Sequence, residues 1–303
     1  MLETDRLFAG SIPENYDRYM VPLIFEAYAA DLARRVAALA PRAVLETAAG
    51  SGVVTRALAP ALPNAASYIA TDLNQPMVDY AASQQPPDTR LAWRQADALA
   101  LPFEDATFDL VCCQFGAMFF PDRVAGYREA RRVLKPGGHF LFNVWDRIEE
   151  NVFADEVTNA LADIFPDDPP RFLARTPHGY HDTALIRREL EAAGFSQADI
   201  ETRAEQSRAT SPRIPAVAYA RVRSCAPRSK PGKPAIWQPP PTTLPLPSRN
   251  VTAGAKSRPK SRHISSSPRP RSVLAREAPL SRRHCPPSPA CRRRCGPRVR
   301  RAR

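Results

Sequence analysis

Val44-Leu45-Glu46-Thr47-Ala48-Ala49-Gly50-Ser51-Gly52-Val53-Val54-Thr55 decides the fold of this chain. The apolar run Ala43, Val44, Leu45 reads as a buried strand. It breaks into a turn of small residues, and apolar positions at helical spacing follow at Val53, Val54, Ala57 and Leu58 until Pro60 stops them. Small side chains in such a turn let a ligand come against bare backbone, and the unpaired N–H groups of the helix start face it. Glu46, at the strand end, is placed to accept hydrogen bonds from a hydroxyl or amino group.

Working outward, a second strand-like run, Tyr68-Ile69-Ala70-Thr71, ends in Asp72. That spacing matches the acid that binds ribose hydroxyls in nucleotide-binding α/β folds. A third strand, Leu91-Ala92-Trp93, leads to Asp97-Ala98 and then Leu101-Pro102-Phe103. Phe108 to Gln114 is a near-continuous apolar run, as expected of a central parallel strand covered on both faces. Its far end, Cys113-Gln114-Phe115-Gly116, should open onto the carboxyl edge of the sheet. A helix capped by Asp122 ends in Leu134-Lys135-Pro136-Gly137-Gly138, and His139 to Trp145 forms the next strand.

Glu46 to Gly52, Asp72, Asp97-Ala98 and Leu134 to Gly138, in this order and spacing, resemble the class I S-adenosylmethionine-dependent methyltransferases. The branch is the one related to the quinone-biosynthesis methyltransferases, and the likeness covers roughly residues 40–200. In that family the first motif reads as an acid followed by Gly-x-Gly-x-Gly. Here Ala48 stands at the first glycine, and Gly50 and Gly52 hold the other two.

The resemblance implies a cofactor, S-adenosyl-L-methionine, and a set of contacts. Glu46, Ala48, Gly50 and Gly52 would grip the methionine end and Asp72 the ribose. Leu73 and Met77 would pack on the adenine ring, Asp97 with Ala98 would receive its amino group, and Cys113 with Gln114 would lie at the end of the fourth strand. Residues 1–22 would lie over the pocket as a lid, with a solvated lead-in as the alternative. An insert at 147–181 would cover a small-molecule acceptor. Within it, His178 and His181 are the only clustered histidines of residues 1–219. They are candidates for a proton-accepting base, against an alternative in which Asp182 caps a helix and both are exposed.

Near residue 220 the pattern stops. Residues 220–303 hold 22 Lys and Arg against one acid, Glu277, whereas residues 1–219 hold 21 against 30. Of 33 prolines, 16 fall in that last stretch, without periodic apolar spacing. Such a segment buries too little apolar surface to offset its ordering entropy, so a disordered tail is expected. The expected fold is therefore α/β, a Rossmann-like doubly wound, mostly parallel sheet over residues 1–219, with a cofactor-binding core at about 40–146. The family's last antiparallel strand is expected to be missing; Ser272-Val273-Leu274-Ala275 is short and far away. The tail reads as a frame change or fusion. Its functional alternative is nucleic-acid binding through its cations, in a nucleic-acid-binding protein or nucleic-acid methyltransferase.

Other classes fit less well. A dinucleotide-binding Rossmann oxidoreductase lacks a clean Gly-x-Gly-x-x-Gly here. Cys285, Cys291 and Cys295 beside His284 match no usual zinc spacing, so no metal is expected. Cys112-Cys113 reads as a pair of buried thiols. Absence of a leader-like start and of a long apolar run points to a cytoplasmic protein without a membrane partner. Oligomeric state is not written in any of these patterns.

Overall fold

The computed structural model describes residues 12–221, 264–266 and 270–276. The chain enters through α1 (Ile12–Asn15), a π-helical stretch (Tyr16–Phe25) and α2 (Glu26–Ala38). Residues 12–22 are therefore helical rather than a turn-rich lead-in. The wide π-helical winding takes in Pro22, which has no N–H to donate to a ladder.

Strand–helix alternation follows: β1 (Ala43–Glu46), α3 (Val53–Leu58), β2 (Ser67–Asp72), α4 (Gln75–Gln84), β3 (Leu91–Gln95), β4 (Phe108–Gln114), α5 (Arg123–Val133) and β5 (Leu134–Trp145). The Lys135 to Gly138 reversal is part of β5 itself, where the β4 register shifts between Phe108 and Leu110. Then come α6 (Val152–Ile164), α7 (Phe172–Arg175), α8 (Thr183–Ala192) and β6 (Gln197–Thr202). Beyond them lie β7 (Ser207–Ala209), α9 (Arg213–Arg221), β8 (Ile264–Ser266) and β9 (Pro270–Arg276).

The sheet runs β3-β2-β1-β4-β5-β9-β6. β1 to β5 are mutually parallel. β9 is antiparallel to both neighbours, pairing with β5 over His139 to Trp145 and with β6 over Gln197 to Thr202. The doubly wound, mostly parallel sheet is as expected. The missing last strand is not: Pro270–Arg276, set aside as short and distant, fills that place. The boundary drawn at 219/220 is thus crossed by the sheet, and β8 pairs back onto β7. The remainder of the basic segment, with His284 and Cys285, Cys291 and Cys295, lies outside the described residues.

Strand alternation divides the core. Val44, Leu110, Cys112 and Leu141 pack under α2 and α3 with Val36, Val54 and Leu58. Leu45, Val111, Cys113, Phe140 and Phe142 face the other way, against Tyr127 and Ile186. Burial on both faces accounts for the unbroken apolar runs in β4 and β5. Asp122 and Asp182 cap α5 and α8 by accepting from Ala125 N and Ala184 N at 2.9 and 2.8 Å. The insert is tied down by a buried chain: Tyr127 Oη lies 3.0 Å from Tyr180 Oη, Tyr180 donates to Glu189 at 2.6 Å, and Arg123 donates to the same carboxylate. No helix of the described residues is long and apolar enough to cross a membrane.

Candidate active site

At the carboxyl edge of β1 the chain makes its turn with Ala48 at φ +53°, Gly50 at +57° and Gly52 at +84°. The backbone is pinned on both sides. Thr47 N donates to Cys112 O, Ala49 N to Thr71 O and Gly50 N to Asp72 Oδ2, each at 2.9 Å. The two motif glycines serve different ends. A Cβ on Gly50 would meet nothing within 4 Å, because it borders open space. One on Gly52 would lie 3.0 Å from Ala81 Cβ and 3.2 Å from Trp93, so Gly52 lets α3 pack onto α4 and β3.

A cleft of about 770 Å3, counting its open mouth, lies over this edge. Ala48, Gly50, Asp72, Leu73, Met77, Asp97, Ala98 and Gln114 all line it, so eight of the eleven expected cofactor contacts converge. Asp72 is held between Gly50 N and Asn74 N, the latter donating to Oδ1 at 2.9 Å. Burial pushes its carboxyl pKa up, against the pull of those amides. The Asn74 side chain, just before α4, makes no capping bond to that helix. Its amide donates to Asp72 Oδ1 instead, at 3.3 Å. Asp97 accepts from Leu99 N at 2.9 Å, which folds its loop around the carboxylate.

Three expected contacts lie elsewhere. Glu46 is only 1% exposed and is not in the lining. Its Oε2 accepts from Thr55 Oγ1 at 2.6 Å and from the Tyr68 hydroxyl. Burial raises its pKa to about 7, against the lowering effect of those two donors. Glu46 thus fastens β1 to α3 and β2 from beneath the turn. Gly52 is occupied with packing. Cys113 is wholly buried and sits under Gly116, with its thiol pushed up to about 11 by burial.

The histidines are away from the cleft as well. His178 is 5% exposed, donates from Nδ1 to Asp146 O at 2.9 Å, and packs near Trp145. Desolvation lowers its pKa to about 4, so the ring is neutral near pH 7. His181 bonds His178 O through Nδ1. Neither lines the cleft. His178 is buried rather than exposed, held by the Asp146 carbonyl just after β5.

The remaining wall is aromatic. Phe115, Phe119, Phe120 and Pro121 line the cleft together with Tyr16. Phe115 takes φ +51° after β4 and stacks on Trp145 with ring centres 3.9 Å apart. Phe119, Phe120 and Pro121 escaped the sequence reading, whereas Phe115 lies in the stretch expected to open here and Tyr16 in the segment expected to lie over the pocket. Tyr16 is brought over the edge by the π-helical stretch, which no periodicity announced. Its ring stacks on Phe25. Asp17 beside it accepts from Arg56 at 2.6 Å and from the Tyr80 hydroxyl at 3.2 Å, and Arg56 also donates to Ser51 O in the turn.

An adenosyl sulfonium ligand fits these features. Gly50 leaves a cradle that a Cβ would fill, the carboxylates of Asp72 and Asp97 line the cleft as hydrogen-bond acceptors, and Gln114 Oε1 is buried without a partner among the described residues. A seven-stranded sheet with one antiparallel strand, carrying this edge, defines a class I S-adenosylmethionine-dependent methyltransferase.

The comparisons with known proteins agree. A family model described as "Methyltransferase domain" matches residues 45–142. The demethylmenaquinone methyltransferase of Clavibacter sepedonicus is 36% identical over 175 residues, 55% of this chain and 70% of that protein. The protein of the same name from Mycobacterium sp. (strain KMS) is 31% identical over 163 residues, 51% of this chain and 67% of its own length. Among solved structures, a putative methyltransferase from Bacillus halodurans superposes with a TM-score of 0.53 at 19% identity. It covers 82% of this chain and 98% of that one, and shows the shared fold. The chain belongs to the S-adenosylmethionine-dependent methyltransferase family, and S-adenosylmethionine is its cofactor.

Proposed function

We propose that the chain methylates a small, apolar, hydroxylated aromatic acceptor of the quinone-precursor type. The observation that carries this reading is that Phe115, Phe119 and Phe120 line the same cleft as Gly50 and Asp72. Flat aromatic faces suit a planar ring, and relatives of this chain are named demethylmenaquinone methyltransferases.

When bound, S-adenosylmethionine supplies an already activated methyl group. The protein's task is then to hold donor and acceptor in line at reacting distance. In this reading Ala48 and Gly50 present backbone to the methionine end and Asp72 binds the ribose. Leu73 and Met77 pack on one face of the adenine, and Asp97 with Ala98 receives its amino group. Glu46 acts from below, by fixing the turn. Among the described residues, the ionisable groups in the lining are Asp72, Asp97 and Tyr16. Burial first, and then the Asp72 charge, push the Tyr16 phenol up, so it stays protonated. The acceptor must therefore bring its own nucleophilicity, which a hydroquinone-type ring does. Methyl transfer from labelled S-adenosylmethionine to a demethylated quinol, compared with a catechol and a short RNA, tests the reading. Label in the quinol supports it; label only in the RNA contradicts it.

A further inference from the structure

The turns after β1 and β4 meet at the floor of the cleft, and the contact is unusually close. A Cβ built on Gly116 would lie 2.4 Å from Ala48 Cβ and 2.8 Å from Cys113 Sγ, closer than side chains tolerate. Ala48 itself sits at φ +53°, a left-handed conformation that costs a non-glycine residue free energy. Both residues line the cleft. Glycine at 48 would relieve the backbone and leave a methyl-sized gap on the floor. The chain instead carries a strained alanine whose methyl fits only because residue 116 has no side chain.

We propose that Ala48 and Gly116 are a matched pair, and that the Ala48 methyl is a specificity-determining wall limiting how large an S-alkyl group the site admits. The proposal rests on the reading that the methionine end lies along Ala48–Gly50. One extra methylene in a close-fitting pocket is discriminated by about tenfold or more. The wall therefore favours the S-methyl donor over bulkier sulfonium analogues. It would also keep the transferred carbon from sliding along the floor, away from the aromatic side.

The test is titration calorimetry of the full chain with S-adenosylmethionine, its S-ethyl analogue S-adenosylethionine, and S-adenosylhomocysteine, with thermal melts alongside. Wild type is expected to bind the S-ethyl analogue about tenfold or more weakly than the S-methyl donor, and Ala48→Gly to bring the two within about threefold. Affinity for S-adenosylhomocysteine, which carries no S-alkyl group, reports any change that variant makes to the shared contacts, and the S-ethyl to S-methyl ratio is read against it. Gly116→Ala weakens all three ligands and lowers Tm. Adding Ala48→Gly to it recovers most of the loss, short only by the remaining Cys113 contact. An Ala48→Gly variant that keeps the wild-type ratio overturns the proposal, as does a double variant whose losses simply add. Should S-adenosylmethionine and S-adenosylhomocysteine both fail to bind wild type, the cofactor reading itself falls, a result distinct from an unchanged ratio.

Discussion

The cleft edge and the antiparallel margin of the sheet differ in where their partners lie along the chain. At the edge, Val44 pairs with Tyr68, and Gly50 is held by Asp72, about twenty residues on. At the margin, Leu141 pairs with Leu274 across more than a hundred residues. Local turns write the site, and a distant segment closes the sheet that carries it. Binding and stability should therefore respond to different mutations.

Removing the distant strand is the largest perturbation. Truncation after Arg221 takes away β9 and leaves β5 and β6 with unpaired edges. A Tm lower by on the order of 10 °C, or loss of cooperative melting, is expected in thermal scans. An unchanged Tm would show that the margin does not matter to the fold. Next is Asp72→Ala, which removes the acceptor for Gly50 N and, in the proposed reading, the ribose contact with it. Calorimetry should show cofactor binding weakened by about 1–3 kcal/mol, with a much smaller effect on Tm than the truncation.

Glu46 sharpens the comparison through pH. Its folded pKa of about 7 lies above the ordinary glutamate value of 4.5, so between those limits the fold binds more protons than the unfolded chain. Its contribution to stability is therefore fully present below about 4.5 and is lost as pH rises through 7. Melts from pH 5 to 8 should show wild type losing stability relative to Glu46→Gln as pH rises; parallel curves would mean that Glu46 is already ionised throughout. The smallest effect is expected from Arg56→Ala. It breaks a partly exposed pair with Asp17 and frees the Tyr16 segment from the turn. About 0.5–1 kcal/mol is at stake, read as a few-fold faster release of S-adenosylhomocysteine in stopped flow.

The same contrast explains what the sequence disclosed. Asp72, Asp97 and Gly50 were legible because each sits at a strand end fixed by short-range pattern. Glu46 and Gly52 stand outside the cleft lining, because their place in the motif does not reveal which way the backbone turns them: one points under the turn, the other into helix packing. Cys113 follows from strand alternation, which sends it to the Val111 face of the core. Tyr16 and the phenylalanine wall depend on a π-helical winding and on a left-handed Phe115, neither of which has a period. β9 was set aside because its seven residues carry little local signal and its pairing is wholly non-local.

Calorimetric titration of the full chain with S-adenosylmethionine tests the central claim most directly. The account predicts saturable one-to-one binding that Asp72→Ala weakens by about tenfold or more. No heat of binding, or equal affinity in wild type and Asp72→Ala, would contradict it.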